Sequence, residues 1–199
     1  MKDKLTTRDF VLLALLVAVL IVLGLVNIPQ PAGLSITFNM IPVAIAAIAL
    51  GVKGGAIIGG AFGLISFLQC FGILGYSGMG AALVAVSPFL SFVQRFISRL
   101  LVGVLTALVY KLLRKKVSFH VSGVITGFAA AFLNTLLFMS ALVLLFGGTE
   151  YLQGLIAGRS VMAFIIASVG INAVVEMVVA AVLTGAISAA LHKAKLIEE

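Results

Sequence analysis

The chain is built from apolar runs of about 20 residues, and a run of that length in hydrocarbon can satisfy its own backbone only as a helix. Of its 199 residues, 63% are hydrophobic and 10% charged, against roughly 45–50% and 25% in soluble domains. An all-α integral membrane protein follows. Six transmembrane helices are expected at roughly 8–26, 36–50, 53–71, 87–112, 120–146 and 161–190, the short second run leaving five or seven as alternatives. No segment resembles a soluble domain or a dividing linker, so residues 1–199 read as one transmembrane domain. Lys2, Lys4 and Arg8 precede the first run as in a signal peptide. Its apolar stretch is too long, however, and NIPQPAGLS offers no small-residue cleavage site, so a retained helix is expected.

Basic residues set the orientation. With a cytoplasmic N-terminus and six spans, Lys2, Lys4, Arg8, Lys53, Lys111, Arg114, Lys115, Lys116, Lys193 and Lys195 fall inside and only Arg159 outside, a positive-inside bias that puts both termini in the cytoplasm. The net charge of +7 is therefore topological and makes no case for nucleic acid; KLLRKK reads as an anchor beside anionic lipid. Cys70, the single cysteine, has no disulfide or metal partner and reads as a small apolar side chain. The inside loops are short. The outside loops NIPQPAGLS, CFGILGYSGMGAALVAV and FGGTEYLQGLIAGRS are longer and glycine-rich, either as lids over an outward-facing pocket or as plain connections.

Small residues govern packing. Gly51, Gly55, Gly59 and Gly63 recur at every fourth position, so one face of the third expected helix is nearly bare backbone that another helix can approach closely. Ala14 and Ala18 form a weaker pattern of the same kind on the first helix.

Charges at membrane depth are the exceptions to this apolar plan. Arg95 and Arg99 lie one turn apart on the fourth helix, Asn134 lies near the middle of the fifth, and Asn172 and Glu176 are four residues apart on the sixth. A charge at that depth costs at least about 2.5–3.5 kcal/mol, so it faces a polar interior and has a partner or ligand. Two stacked layers are expected: an inner Arg99–Glu176 ion pair, and an outer Arg95 flanked by the amides of Asn134 and Asn172. A guanidinium so held suits bidentate capture of a carboxylate or phosphate, while amides grip hydroxyl and amide groups. The alternative is that both arginines serve Glu176 and backbone carbonyls and only fix helix register.

Other chemistries lack their groups. GVKGGAIIGG has neither the spacing nor the Ser/Thr of a P-loop, so no ATP site is expected. His120 and His192 fall at cytoplasmic helix ends, and Ser66, Ser87 and Ser91 have no evident base. Metal-assisted hydrolysis, general acid–base catalysis and serine hydrolysis are thus disfavoured, and no metal or cofactor is expected. An inverted repeat of the secondary-transporter kind is not visible. A small binding protein without its own energy source is the reading that remains.

ITFNMIPVAIAAIALGVKGGAIIGGAFGLISFLQCFG, followed by a Ser-Pro-Phe start and an arginine-bearing fourth helix, resembles the substrate-binding S components of energy-coupling-factor (ECF) vitamin transporters, most closely the pantothenate-specific type. The resemblance runs from RDFVLLALLVA to the last helix. It implies a multi-pass protein of a prokaryotic plasma membrane that binds a vitamin and is not itself an enzyme. It also implies partners, a transmembrane T component and two cytoplasmic ATPases, with Ala14 and Ala18 matching the motif that meets the T component. NIPQPAGLSITFN and FGILGYSGMGAALVAV map onto the family's capping loops, which would turn Asn39, Gln69 and Tyr76 toward the ligand. Pantothenate, a monoanion with hydroxyls and an amide, fits Arg95, Asn134 and Asn172. Folate, riboflavin, pyridoxine and cobalamin remain alternatives within the family. With no Trp and three Tyr, the chain is poorly furnished for stacking the first two. A non-transporting membrane scaffold is the rival class, and a membrane enzyme ranks third.

Overall fold

Each long apolar run closes its own backbone hydrogen bonds in the computed structural model of the chain, which describes residues 5–25, 28–29 and 35–196. Helix α1 spans Thr7–Leu25 and is followed by a minimal antiparallel ladder of β1 (Ile28–Pro29) and β2 (Ser35–Ile36). Helix α2 spans Met40–Leu68 and ends in a single 3₁₀ turn, Gln69–Phe71. Then come α3 (Gly78–Val86), α4 (Pro88–Leu113), α5 (Phe119–Phe146), α6 (Glu150–Ile156) and α7 (Val161–Lys193). Lys2, Lys4 and most of NIPQPAGLS lie outside the described residues.

Five segments, α1, α2, α4, α5 and α7, are long and apolar enough to cross a membrane. The separate helices expected at 36–50 and 53–71 form one helical stretch, interrupted at Gly51. Its φ of 63° and ψ of −150° belong to a region open in practice only to glycine. The interruption is sharp: a Cβ added to Gly54 would stand 2.7 Å from the Ala46 carbonyl oxygen. Residues eight apart on a straight helix are separated by about 12 Å along the axis, so α2 bends sharply at Gly51.

The rest of the glycine stripe closes the bundle. Gly55 meets the backbone of Gly103, a Cβ on Gly59 would stand 2.5 Å from the Arg99 carbonyl, and one on Gly63 would stand 2.8 Å from the Phe96 Cα. Close backbone approach of this kind is what small residues provide in membranes. On the other side of the bundle α5 packs along α7, with Gly127 against Ala180 and Thr184 and Gly123 against Ser188.

Two apolar cores result. One joins Leu13, Leu16 and Leu20 of α1 to Val43, Ile58 and Phe62 of α2, Val102 of α4 and Ala130 and Ala131 of α5. The second forms at the opposite end from Lys53 and joins Met79 and Leu83 of α3 to Met139, Leu142 and Phe146 of α5, Leu152 and Ile156 of α6 and Phe164 of α7. Two of the glycine-rich loops expected on the outside thus contain short helices. Ser77 caps α3 by accepting from Gly80 N at 3.1 Å, and Thr149 caps α6 by accepting from Leu152 N at 3.3 Å.

Apart from Arg95, Arg99 and Arg159, the described basic residues gather at one end. Ile48, next to the break in α2, packs with Phe119 at the start of α5, Tyr110 near the end of α4 and Leu191 near the end of α7. Arg8 at the start of α1 donates to the Lys195 carbonyl at 2.7 Å.

Candidate functional site

Helix α4 carries the decisive irregularity. Residues Val93–Ile97 form one π-helical turn within it, and such turns often occur at functional sites because the extra residue re-aims its neighbours. Here it turns Gln94 and Arg95 inward together: Gln94 is fully buried and Arg95 is 3% exposed. Ser87 starts the helix by accepting from Leu90 N at 3.3 Å, with Pro88 in the first turn. Arg95 therefore lies roughly 10 Å along the axis from the helix start.

Between the two apolar cores is a cavity of about 110 Å³ lined by residues of α2, α3, α4, α5 and α7 and by the segments preceding α2 and α3. Arg95, Arg99, Asn134, Asn172, Glu176 and Gln69 all line it, so the two polar layers expected from sequence meet in a single chamber. Thr37, Phe62, Ser66, Ser77, Met79, Thr135 and Phe138 join them.

Arg95 is held at fixed points. Its Nη1 donates to Ser66 Oγ at 2.8 Å and to the Ser66 carbonyl at 3.3 Å, and its Nη2 donates to Ser77 Oγ at 3.0 Å. All three acceptors are neutral, and Nε has no hydrogen-bond partner among the described residues. Ser77 thus does two jobs, capping α3 and orienting Arg95.

Arg99 is held differently. Its guanidinium carbon lies 4.6 Å from the centroid of Phe62 and 4.8 Å from that of Phe138. Cation–π contacts are worth about 2 kcal/mol or more when desolvated. Nη1 donates to the Arg95 carbonyl at 3.4 Å, and Nε is unpartnered among the described residues. Glu176 Oε1 accepts the Thr37 backbone N–H at 2.8 Å. The expected direct Arg99–Glu176 ion pair is thus absent from the contacts of these described residues. The physical reason is that two phenyl rings hold the guanidinium while the strap before α2 takes the carboxylate. Both still line the same chamber, and two arginines against one glutamate leave one excess positive charge.

The neutral expected residues divide. Asn134 and Asn172 line the cavity, and Asn134 Oδ1 is buried without a partner among the described residues. Gln69 lines it too, but its Nε2 donates to the carbonyls of Gly24 and Leu74, both at 3.1 Å, and ties α1 to the loop after α2. Asn39 is buried directly before α2 and does not line the cavity. Tyr76 is 61% exposed and does not line it either. Ala14 and Ala18 are exposed on the outer face of α1 beside Val11, Leu15 and Val22.

Sequence reasoning missed several walls of the chamber. Phe138 lies one turn from Asn134, and Phe62 and Ser66 are spaced four apart, so helical periodicity from the polar anchors can find them. Thr37 contributes a backbone N–H to Glu176, and no side-chain pattern signals that.

Chemically the chamber offers two guanidinium N–H groups and an amide oxygen that are unpaired among the described residues, and a hydroxyl-bearing wall, with apolar packing on either side. The family described as "ECF transporter, substrate-specific component" matches the chain over residues 8–188. The chain is 31% identical over 209 aligned positions to the pantothenic acid transporter PanT of Lactococcus lactis subsp. cremoris, covering 96% of this chain and 97% of that one. It is 30% identical over 152 positions to the pantothenate transporter PanT of Leuconostoc mesenteroides subsp. mesenteroides, covering 76% of this chain and 72% of that one. A polar chamber among apolar helices and a match along nearly the whole chain agree: this protein belongs to the family of ECF transporter substrate-specific components.

Proposed function

We propose that the chain is the pantothenate-binding S component of an ECF importer in a prokaryotic plasma membrane. The observation that carries this reading is the set of buried atoms around the cavity that have no partner among the described residues: Arg95 Nε, Arg99 Nε and Asn134 Oδ1. Two donors on cations and one neutral acceptor match a ligand that carries a carboxylate together with hydroxyl and amide groups. The single excess positive charge of the chamber complements a monoanion. The names of the two relatives point to the same compound.

In this reading Arg95, pre-oriented by Ser66 and Ser77, receives the carboxylate. Asn134 and Asn172 take the neutral polar groups, and Arg99 adds field from between its two rings. Glu176 fastens the strap at Thr37 over the site. Gln69 shapes the wall from its anchored position, whereas Asn39 and Tyr76 take no direct part. The arms of α2 on either side of Gly51 act as two spans, which gives six in all and puts both termini in the cytoplasm. The cluster of Arg8, Lys53, Lys111, Arg114, Lys115, Lys116, Lys193 and Lys195 supports that orientation. The chain acts as one domain. Energy comes from partners, a T component that docks on the Ala14 and Ala18 face of α1 and two ATPases.

Uptake tests this directly. Proteoliposomes holding the chain with a T component and two ATPases should accumulate labelled pantothenate when ATP is enclosed on the ATPase side. The chain by itself should bind without accumulating. ATP-independent accumulation by the chain alone would refute the assignment.

A further inference from the structure

We propose that the basic end of the bundle carries a defined site for the phosphate headgroup of an anionic phospholipid, formed where α5 begins and α7 ends. An open groove there is lined by His120, His192, Lys193 and Lys195 over a floor of Ala189 and Ala190. The short alanine side chains leave the depth that a headgroup needs, and the walls supply N–H donors.

The walls are held in place. The Phe119 ring lies 4.5 Å from the His192 ring and 5.9 Å from that of His120, and the Arg114 guanidinium sits 5.4 Å over the same phenyl. One aromatic post therefore sets three nitrogen-bearing groups around itself. The end of α7 is a formed turn: Lys195 adopts a φ of 57°, its N–H bonds to the His192 carbonyl at 2.9 Å, and Leu196 N bonds to the Leu191 carbonyl at 2.8 Å. Arg8 clamps this turn through the Lys195 carbonyl, so Lys193 and Lys195 project from a fixed base.

Charge and position select the occupant. Arg114 stands nearby over Phe119, with Lys111, Lys115 and Lys116 close to it in the sequence, and the one described acid at this end, Asp9, accepts from Thr6 N at 2.8 Å in the first turn of α1. Beyond the groove α5 exposes Val121 and Val124, and α7 exposes Leu183 and Ile187. The cationic groove thus sits at the rim of an apolar outer surface, which suits a molecule with an anionic head and hydrocarbon tails. Basic pockets between helices on the cytoplasmic side bind such headgroups.

The purified chain in mixed micelles of phosphatidylglycerol and phosphatidylcholine, analysed by native mass spectrometry, tests the site. The wild type should retain phosphatidylglycerol selectively. Lys193→Ala with Lys195→Ala should lower that retention about tenfold or more, whereas Lys115→Ala with Lys116→Ala, which removes the same charge outside the groove, should change it by less than about threefold. Melting temperature identifies any variant that has lost its fold, and His120→Ala with His192→Ala then gives an independent reading of the same groove. Equal losses in the two lysine pairs would overturn the site in favour of diffuse attraction. Displacement of the lipid by soluble glycerol 3-phosphate at matching concentration would overturn the lipid assignment. So would unchanged lipid retention in the groove variants together with lost assembly on the partner subunits, which would make the groove a protein contact.

Discussion

Replacing Arg95 by alanine should separate recognition of charge from recognition of shape. The guanidinium is 3% exposed and is held by bonds of 2.8, 3.0 and 3.3 Å to Ser66 and Ser77. It is thus ordered before any ligand arrives, and little entropy opposes its use. Losing one side of a buried, charge-assisted contact costs about 2–5 kcal/mol, which is roughly thirtyfold to several-thousandfold in affinity. Arg95→Lys should recover only part of this, because an ammonium lacks the planar fork and cannot reach Ser66 and Ser77 together. The informative comparison is between pantothenate and its alcohol analogue, in which a CH₂OH group replaces the carboxylate. Isothermal titration of both ligands against wild type and Arg95→Ala gives a double cycle. The variant should lose its affinity for the acid and change little toward the alcohol. Equal loss for the two ligands would show that Arg95 shapes the chamber without reading the carboxylate, and the register-fixing role would then stand.

Other consequences are as specific. Glu176→Gln keeps the volume but weakens the charge-assisted bond to Thr37 N, so ligand dissociation measured by stopped flow should accelerate several-fold, by about 1 kcal/mol; an unchanged rate would remove the latch. Gly59→Ala forces a Cβ to within 2.5 Å of the Arg99 carbonyl and should destabilise the α2–α4 contact by about 1–3 kcal/mol, read as a lowered melting temperature. Ala14→Trp with Ala18→Trp should abolish uptake while sparing ligand binding, since both residues lie on the exposed face of α1; intact uptake would exclude that face as the docking surface. Single cysteines at 111–116 should resist an impermeant reagent applied from outside while those at the exposed positions 76 and 78 react, and the reverse pattern would invert the orientation.

Much of this architecture is legible in the chain because hydrocarbon leaves the backbone few options. The long helices fall within a few residues of the apolar runs, 120–146 for instance becoming Phe119–Phe146. The break at Gly51 is harder to read: LGVKG signals a turn, yet helical bonding continues on both sides of it. The polar residues of the site were visible because charge at depth is costly, and Arg95, Arg99, Asn134, Asn172 and Glu176 do share one chamber. Their partners were not visible. The pairing of Arg99 with Glu176 followed from opposite charge, but Phe62 and Phe138 compete for that cation and a backbone N–H competes for that carboxylate. Such contacts depend on how helices rotate against one another, as does the π turn that brings Gln94 and Arg95 inward. The short helices α3 and α6 escaped notice because each is under two or three turns long and is fixed by its cap and by the core beneath it.

The central claim is that this chamber binds pantothenate, and retention of a labelled vitamin panel by the purified chain tests it most directly. Equilibrium dialysis against pantothenate, folate, riboflavin, pyridoxine and cobalamin should find saturable binding of pantothenate at one site per chain and none of the others. Retention of a different vitamin at that stoichiometry, or of none, would contradict the account.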